Sequence, residues 1–497
     1  MTTIDYVILA TYLAVVLCIG ILAGRRDEDA DDLFVGGRRM PAWAVGISVI
    51  ATAISGVTFI GGPQAAYAGN LTYLSASIGS VLGAVLVAWL LLPKFHAAGA
   101  STVYEVIGNA RGGVARKACA IVFLLGRLLA SGTRLYVAAI PCSLITFGDL
   151  APYHLVLCIA VFAIAAMIYT AWGGIGAVIW TDVLQAGVLV LAVTASLLVL
   201  SGQLPMSFGE GLERLGSAGG DTPKLTLFDT RLDVTAPFAI WAVVLGLTLF
   251  NAAAFGTDQD LAQRLLTSKD SRSAAKALVG SSLAGIGLVA LFMTIGLLLF
   301  LRDDAAGVMS TDTRGVYLEF IRGELPVGLR GLLVAGLLAA AMSSTDSALA
   351  SMSSSLVLDL KIGPPTGTAA RVGNVLCGSA LAVVASIFAL ASAGEEGGLL
   401  PFALGVMVYA YAGLLGVFVG VLLLNRGSAG TVVAALVVGA ASVYLMQFHA
   451  GDVGLPTPSL GWRMLGGFLL SLAVCCLVPA RLPPGEVPDR GFEPITS

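Results

Sequence analysis

Four ionisable side chains, Arg127, Arg134, Asp182 and Asp346, fall inside long apolar stretches of the sequence. Charges at membrane depth are costly and commonly mark ion or substrate paths. Asp346 stands in AAAMSSTDSALASMSSS (339–355), where Ser343, Asp346 and Ser347 are spaced i, i+3 and i+4 and so share one helical face. A hard monovalent cation wants several oxygen ligands at once, which hydroxyls, a carboxylate and spare carbonyl lone pairs supply. The plainer reading is that such serines bond back to the i−4 carbonyl and let helices pack closely. That reading is preferred for Ser351, Ser353, Ser354 and Ser355. Asp182 lies in GGIGAVIWTDVLQ (173–185), and both arginines lie in LLGRLLASGTRLY (124–136). A buried guanidinium either grips an anion bidentately or pairs with an internal carboxylate, and Arg134 has the further choice of snorkelling outward.

Little else in the chain suggests chemistry. His96, His154 and His449 sit at segment ends without forming a cluster, and the seven cysteines lie in apolar stretches without CxxC or ligand-like spacing. No nucleophile–base motif or phosphate loop stands out, which argues against a membrane enzyme. Composition argues harder. Hydrophobic residues make up 57% of the 497 residues and charged ones 11%, against roughly 25% charged in soluble proteins. With a mean hydropathy of +0.93, the surrounding solvent must be lipid. A soluble enzyme, a secreted disulfide scaffold and, at a net charge of −3, a nucleic-acid binder are excluded.

The elements that must position these residues follow from hydropathy. About 20 apolar residues cross a bilayer as a helix, and thirteen such stretches are expected: 4–23, 42–69, 71–93, 116–146, 153–171, 177–200, 236–257, 276–301, 327–360, 370–394, 398–424, 429–448 and 459–479. They are continuous, which rules out an alternating barrel pattern. The first lacks a basic flank and a cleavage pattern and is read as a retained helix. Lys and Arg concentrate in alternate loops, including Arg25, Arg26, Arg38, Arg39, Lys94, Arg111, Arg116, Lys117, Arg264, Lys269, Arg272 and Lys276. The positive-inside bias then places the N-terminus outside and the C-terminus in the cytoplasm. Two stretches look interrupted. ISGVTFIGGPQAAYAG (54–69) carries Gly56, Gly61, Gly62 and Pro63, and LFNAAAFGTDQD (249–260) turns polar around Asn251 and Gly256. Interrupted helices at corresponding positions of two halves mark inverted-repeat transporters. The external segments 202–235 and 302–326 are long enough for short surface helices, and 481–497 reads as a disordered cytoplasmic tail.

DDLFVGGRRMPAWAVGISVIATAISGVTFIG (31–61), WGGIGAVIWTDVLQ (172–185), TDQDLAQRLLTSKD (257–270) and GLLVAGLLAAAMSSTDSAL (331–349) together resemble the sodium:solute symporter family, which includes sodium–glucose, proline and sialic acid transporters. The resemblance runs over about 5–450. It implies an all-α membrane protein of thirteen transmembrane helices with a LeuT-type core of two inverted five-helix repeats. The leading helix and inner loop would be 1–41, the repeats 42–201 and 236–424 on either side of the loop 202–235, and two trailing helices would lie in 425–480. It also implies a sodium ion held by the carbonyls of Ala51, Ile54 and Ala340 and the hydroxyls of Ser343 and Ser344. A second sodium, bound in some members, would use Asp182 as the main ligand with Ser343 and Ser347, and Asp346, standing where that group has serine, would help hold or tune it. Substrate-lining positions by resemblance are Ser55, Gly56, Thr58, Tyr73, Ser77, Asn251, Ala254 and Phe255. Arg127 resembles the arginine that meets the sialic acid carboxylate, with Arg134 competing for the role.

The expected function is sodium-coupled import of a small polar solute, most plausibly an organic anion such as a monocarboxylate or sialic acid, across the cell (inner) membrane. An amino acid or sugar is the alternative. A membrane sensor is the rival of a different class, since some histidine kinases carry a domain of this family; the short segment after the last stretch is expected to be too brief for signalling. Lipid, sodium and the solute are the partners implied, with no nucleic acid and no obligatory protein partner.

Overall fold

The computed structural model describes residues 1–23, 30–54, 56–219, 222–310, 313, 315–391 and 405–479; the tail call at 481–497 lies outside them. Among the described residues the fold is all-helical, with two isolated bridges and no strand. Eight helices among the described residues are long and apolar enough to cross a membrane, or nine if one bent pair counts as a single span, and three shorter apolar helices accompany them.

The helix Leu329–Ser354 is the spine of the molecule. Almost all of its side chains are buried, because alanine, glycine and serine let neighbouring backbones approach closely. Ser351 and Ser354 donate back to the carbonyls of Ser347 and Ser351, each at 2.8 Å, as the plainer reading expects. Ser353 instead reaches across to the Ala370 carbonyl at 2.8 Å. The leading helix Thr3–Ala23 buries only Asp5, Tyr12, Val16 and Gly20, a narrow stripe facing the bundle. Near its N-terminus Asp5 Oδ1 accepts from the Gly328 and Gly331 N–H groups at 2.9 and 3.0 Å. A carboxylate thus neutralises the exposed N–H groups at the start of the spine helix.

Three interruptions shape the rest. Ala42–Ala53 ends at Ile54 in an extended conformation (φ −89°, ψ 110°), and its continuation is bent by 61°. The second interruption falls one step later than expected. Thr248–Gly256 runs helically through Asn251, whose side-chain amide donates to the Leu247 carbonyl at 2.8 Å. The chain breaks at Thr257–Asp258, where Asp258 is extended and caps Gln259–Leu266 by accepting from Asp260 N at 3.0 Å. Third, Pro152–Gln203 is a single helical run apart from Gly174, whose φ of 56° and ψ of −167° turn the chain between the expected stretches 153–171 and 177–200. The segments 202–235 and 302–326 do carry short helices, Phe208–Ser217 with a Ser207–Glu210 capping box and Val316–Gly323.

Candidate functional site

A cavity of about 290 Å³ opens beside the first break, lined by Ala53, Ile54, Thr58, Tyr73, Ser77, Asn251 and Phe255 among others. A neighbouring cavity of about 150 Å³ shares Ala53, Ser80, Phe250, Asn251 and Phe255 with it and adds Thr52, Ala254, Arg127, Arg134 and Tyr411. The structure therefore brings together the expected lining positions Thr58, Tyr73, Ser77, Asn251, Ala254 and Phe255. Of the others, Ser55 lies outside the described residues, and Gly56 opens the helix Gly56–Ala68. The chamber wall is mostly apolar and aromatic, with Tyr73 packed edge-on against Phe238 and Phe250 against Tyr411, each at 5.1 Å between centroids. A few hydroxyls and one amide interrupt it, the usual make-up of a small-molecule site.

The arginines divide their duties, and the expectation for Arg127 is corrected. Arg127 is buried, with one terminal nitrogen on Asp258 and the other 3.0 Å from Asp260 Oδ2. Tyr411 donates to the same Asp258 oxygen at 2.5 Å. Both arms of Arg127 are thus spent on internal carboxylates, the structural alternative for this side chain. Arg134 is half-buried, lines the smaller cavity, and makes no hydrogen bond or ion pair among the described residues. It is the guanidinium left open to a ligand.

The spine helix and the broken helix lie side by side where sodium was expected. Thr52 Oγ1 and Ser347 Oγ stand 3.1 Å apart across the two helices. Ser343 Oγ is buried without a hydrogen-bond partner, while Ser344 donates to the Ala340 carbonyl at 3.2 Å. Ala51 and Ile54 belong to the last turn before the break, where carbonyls lack intrahelical partners. The helix end at Ile54 and the turn carrying Ser343 and Ser344 thus belong to two helices that touch through Thr52 and Ser347.

Asp182 is differently placed. Its Oδ2 accepts from Ser48 Oγ at 2.5 Å and from Arg264 Nη2 at 3.0 Å. Arg264 also donates to Ser347 Oγ, to Ser48 Oγ at 2.7 Å and to the Asp260 carbonyl at 2.9 Å. This arginine, read from the sequence as an inner-loop cation, is fully buried, and every residue of Gln259–Leu266 is buried with it. The guanidinium occupies the cradle that the resemblance assigns to a second sodium at Asp182 and Ser347. Arg264, Asp258, Asp260 and Tyr411 were all missed by sequence reasoning. The one available signal was the i, i+4 spacing of Asp260 and Arg264, which does form an ion pair at 3.3 Å.

Comparison with known proteins identifies the family and the fold. The family model described as sodium:solute symporter family matches residues 33–439. The sodium/sialic acid symporter NanT of Aliivibrio fischeri is 28% identical over 403 residues, which cover 79% of this chain and 78% of that protein. The sodium/sialic acid symporter SiaT of Proteus mirabilis is also 28% identical, over 462 residues and 90% of each chain. A structure of a Na+-coupled sialic acid symporter, substrate-bound and outward-open, superposes with a TM-score of 0.83 at 24% identity, covering 96% of this chain and 97% of that one. The two share a fold.

Proposed function

Because the chain belongs to the sodium:solute symporter family, an integral membrane family of transporters rather than enzymes, we propose that it imports a small organic anion together with sodium by alternating access. The observation that carries the anion is Arg134, an arginine with no protein partner among the described residues, in the wall of a cavity at a helix break. A half-buried guanidinium in a cavity wall at membrane depth favours a ligand that brings negative charge. Monocarboxylates and sialic acid both offer the carboxylate that a guanidinium binds through two parallel hydrogen bonds. The similarity to sodium/sialic acid symporters supports that class.

The proposed first sodium site uses the Ala51, Ile54 and Ala340 carbonyls and the Ser343 and Ser344 hydroxyls. The unpartnered Ser343 oxygen and the helix end at Ile54 support it. The proposed topology has thirteen crossings, the bent pair counting once, Pro152–Gln203 twice about Gly174, and Ala242–Gly256, Met407–Leu423 and Leu460–Cys476 once each. The repeats are proposed as 42–201 and 236–424, with the N-terminus outside and the C-terminus in the cytoplasm of the cell membrane, following the Lys and Arg bias.

Thermal unfolding of the purified protein against organic acids, amino acids and sugars, each with sodium or with choline, tests the reading. A ligand at about 100 times its dissociation constant adds about 2.7 kcal/mol. Carboxylates should stabilise in sodium and much less in choline. Stabilisation by neutral sugars alone would overturn the anion assignment, and indifference to sodium would overturn the coupling.

A further inference from the structure

A groove of about 270 Å³ runs between the helices Ala42–Ala53 and Ser271–Ala306 on the lipid-facing side of the bundle. Two glycines shape it. Gly46 packs so tightly on the second helix that a Cβ there would sit 3.2 Å from the Ala277 carbonyl oxygen, which draws the two backbones together. Gly280 is exposed, and an added Cβ there would meet nothing within 4 Å, which leaves the hollow. Ile47, Ile50 and Ala284 extend an apolar wall. Ser281 presents no free hydroxyl to it, because its Oγ donates back to the Leu278 carbonyl at 2.7 Å. A wall of this kind gains by dispersion contact with hydrocarbon and gives a polar ligand little to bond.

One end of the groove is charged. Lys276 lines it from the start of the second helix, on one face with Gly280 and Ala284 at i+4 and i+8. Arg39 stands three residues before the facing helix. Both side chains are exposed, and neither makes an ion pair or hydrogen bond among the described residues. Their basic neighbours are already engaged. Arg38 donates to the Gly99 and Ala100 carbonyls at 2.9 and 2.8 Å, and Lys269 stands 3.9 Å from Asp270. The same end carries Trp43, which lines the groove, is 56% exposed and packs edge-on against Trp180 at 5.6 Å between centroids. Exposed tryptophans are enriched at the level of the lipid headgroups. An apolar groove that ends in interfacial aromatics and unpaired cations matches an amphiphile with a hydrocarbon tail and an anionic head.

We propose that this groove binds an anionic phospholipid of the cytoplasmic leaflet, with an acyl chain over Gly280 and the phosphate at Lys276 and Arg39. Basic pockets between transmembrane helices on the cytoplasmic side are suited to such headgroups. Ile50 and Ser281 belong to the wall of this groove and also to that of the 290 Å³ cavity. A seated tail therefore backs the substrate chamber beside the first half of the broken helix. The site goes beyond the transport reading and takes from it only the orientation in the membrane.

Native mass spectrometry of the full-length protein in nonionic detergent, titrated with dioleoyl phosphatidylglycerol or dioleoyl phosphatidylcholine, tests the site. One phosphatidylglycerol should stay bound at concentrations where phosphatidylcholine does not. Lys276→Ala should weaken it about fivefold, and Lys276→Arg should restore it. Gly280→Leu, whose side chain enters open space, should fold normally and lose the bound lipid because the hollow is filled. Lys269→Ala, outside the groove, should change nothing. Equal binding of the two lipids would overturn the proposal, as would phosphatidylglycerol binding unchanged in both Lys276→Ala and Gly280→Leu. Equally tight binding of glycerol 3-phosphate would overturn it in favour of a small-anion site. A dimer that Gly280→Leu turns into a monomer would assign the groove to a second copy of the chain instead. Each of these failures leaves sodium-dependent stabilisation by carboxylates intact, so they are distinguishable from failure of the transport reading.

Discussion

An arginine beside a substrate cavity can serve the ligand or the fold, and the two duties leave opposite mutational signatures. Removing Arg127 leaves Asp258 a buried charge with no cation paired to it and Asp260 with Arg264 alone, and breaking a buried pair from one side costs about 3–5 kcal/mol. Arg127→Ala should therefore unfold at much lower temperature or fail to accumulate. Arg134→Ala strands nothing, so it should fold normally and lose carboxylate-dependent stabilisation, with Arg134→Lys falling between because it keeps charge without the fork. Equal melting temperatures for the two alanine variants would refute this division. Asp182, Ser343, Asp346 and Ser347 stood out in the sequence because intramembrane charge and i, i+3, i+4 spacing are local signals, and Ser344 was picked through the family resemblance alone. The choice between Arg127 and Arg134 was not legible. It depends on Asp258 and Asp260, more than 120 positions away in sequence, and no periodicity reports which carboxylate a guanidinium will meet.

At the scale of elements, the helix breaks were foreseeable from glycine, proline and polar residues at membrane depth, and their exact positions depended on capping. Asp258 displaced the second break beyond Gly256 because its side chain satisfies an N–H of the next helix. Asn251 could not end the helix, because its side chain bonds back to Leu247 within it. Gly174 has the firmest consequence. Its backbone lies in the left-handed half of conformational space, and a Cβ there would sit 2.8 Å from the Leu33 carbonyl oxygen. Gly174→Ala meets both the strain of positive φ, about 1 kcal/mol or more, and a collision with backbone that cannot swing away. Thermal unfolding should drop by several degrees, and Gly187→Ala, with open space around its added Cβ, should be neutral or slightly stabilising. A Gly174→Ala protein as stable as its parent would show that the turn is not needed.

At the scale of the whole molecule, the charges carried per cycle decide what the membrane potential can do. One sodium moving with a monovalent anion is electrically neutral, so voltage neither helps nor hinders it. A second sodium, with Asp346 helping to hold it as the sequence reading expects, would make each cycle carry one net positive charge inward. At 100 mV, inside negative, that charge adds about 2.3 kcal/mol of drive, close to a fiftyfold increase in the attainable concentration ratio. The leading helix is tied in at two points, with Asp5 on the N-terminal end of the spine helix and Tyr12 beside Gln185, close to Asp346. In proteoliposomes with a fixed sodium gradient and a potassium diffusion potential, accumulation of the carboxylate that stabilises the protein best should rise steeply with inside-negative voltage. Asp346→Asn should still accumulate it, driven by the first sodium site, and should have lost the voltage dependence. If the unmodified protein ignores voltage, one sodium accompanies each anion and Asp346 has no part in coupling. If Asp346→Asn keeps the full voltage response, the second charge enters elsewhere, and the Asp182 cradle, with Arg264 displaced from it, becomes the place to look.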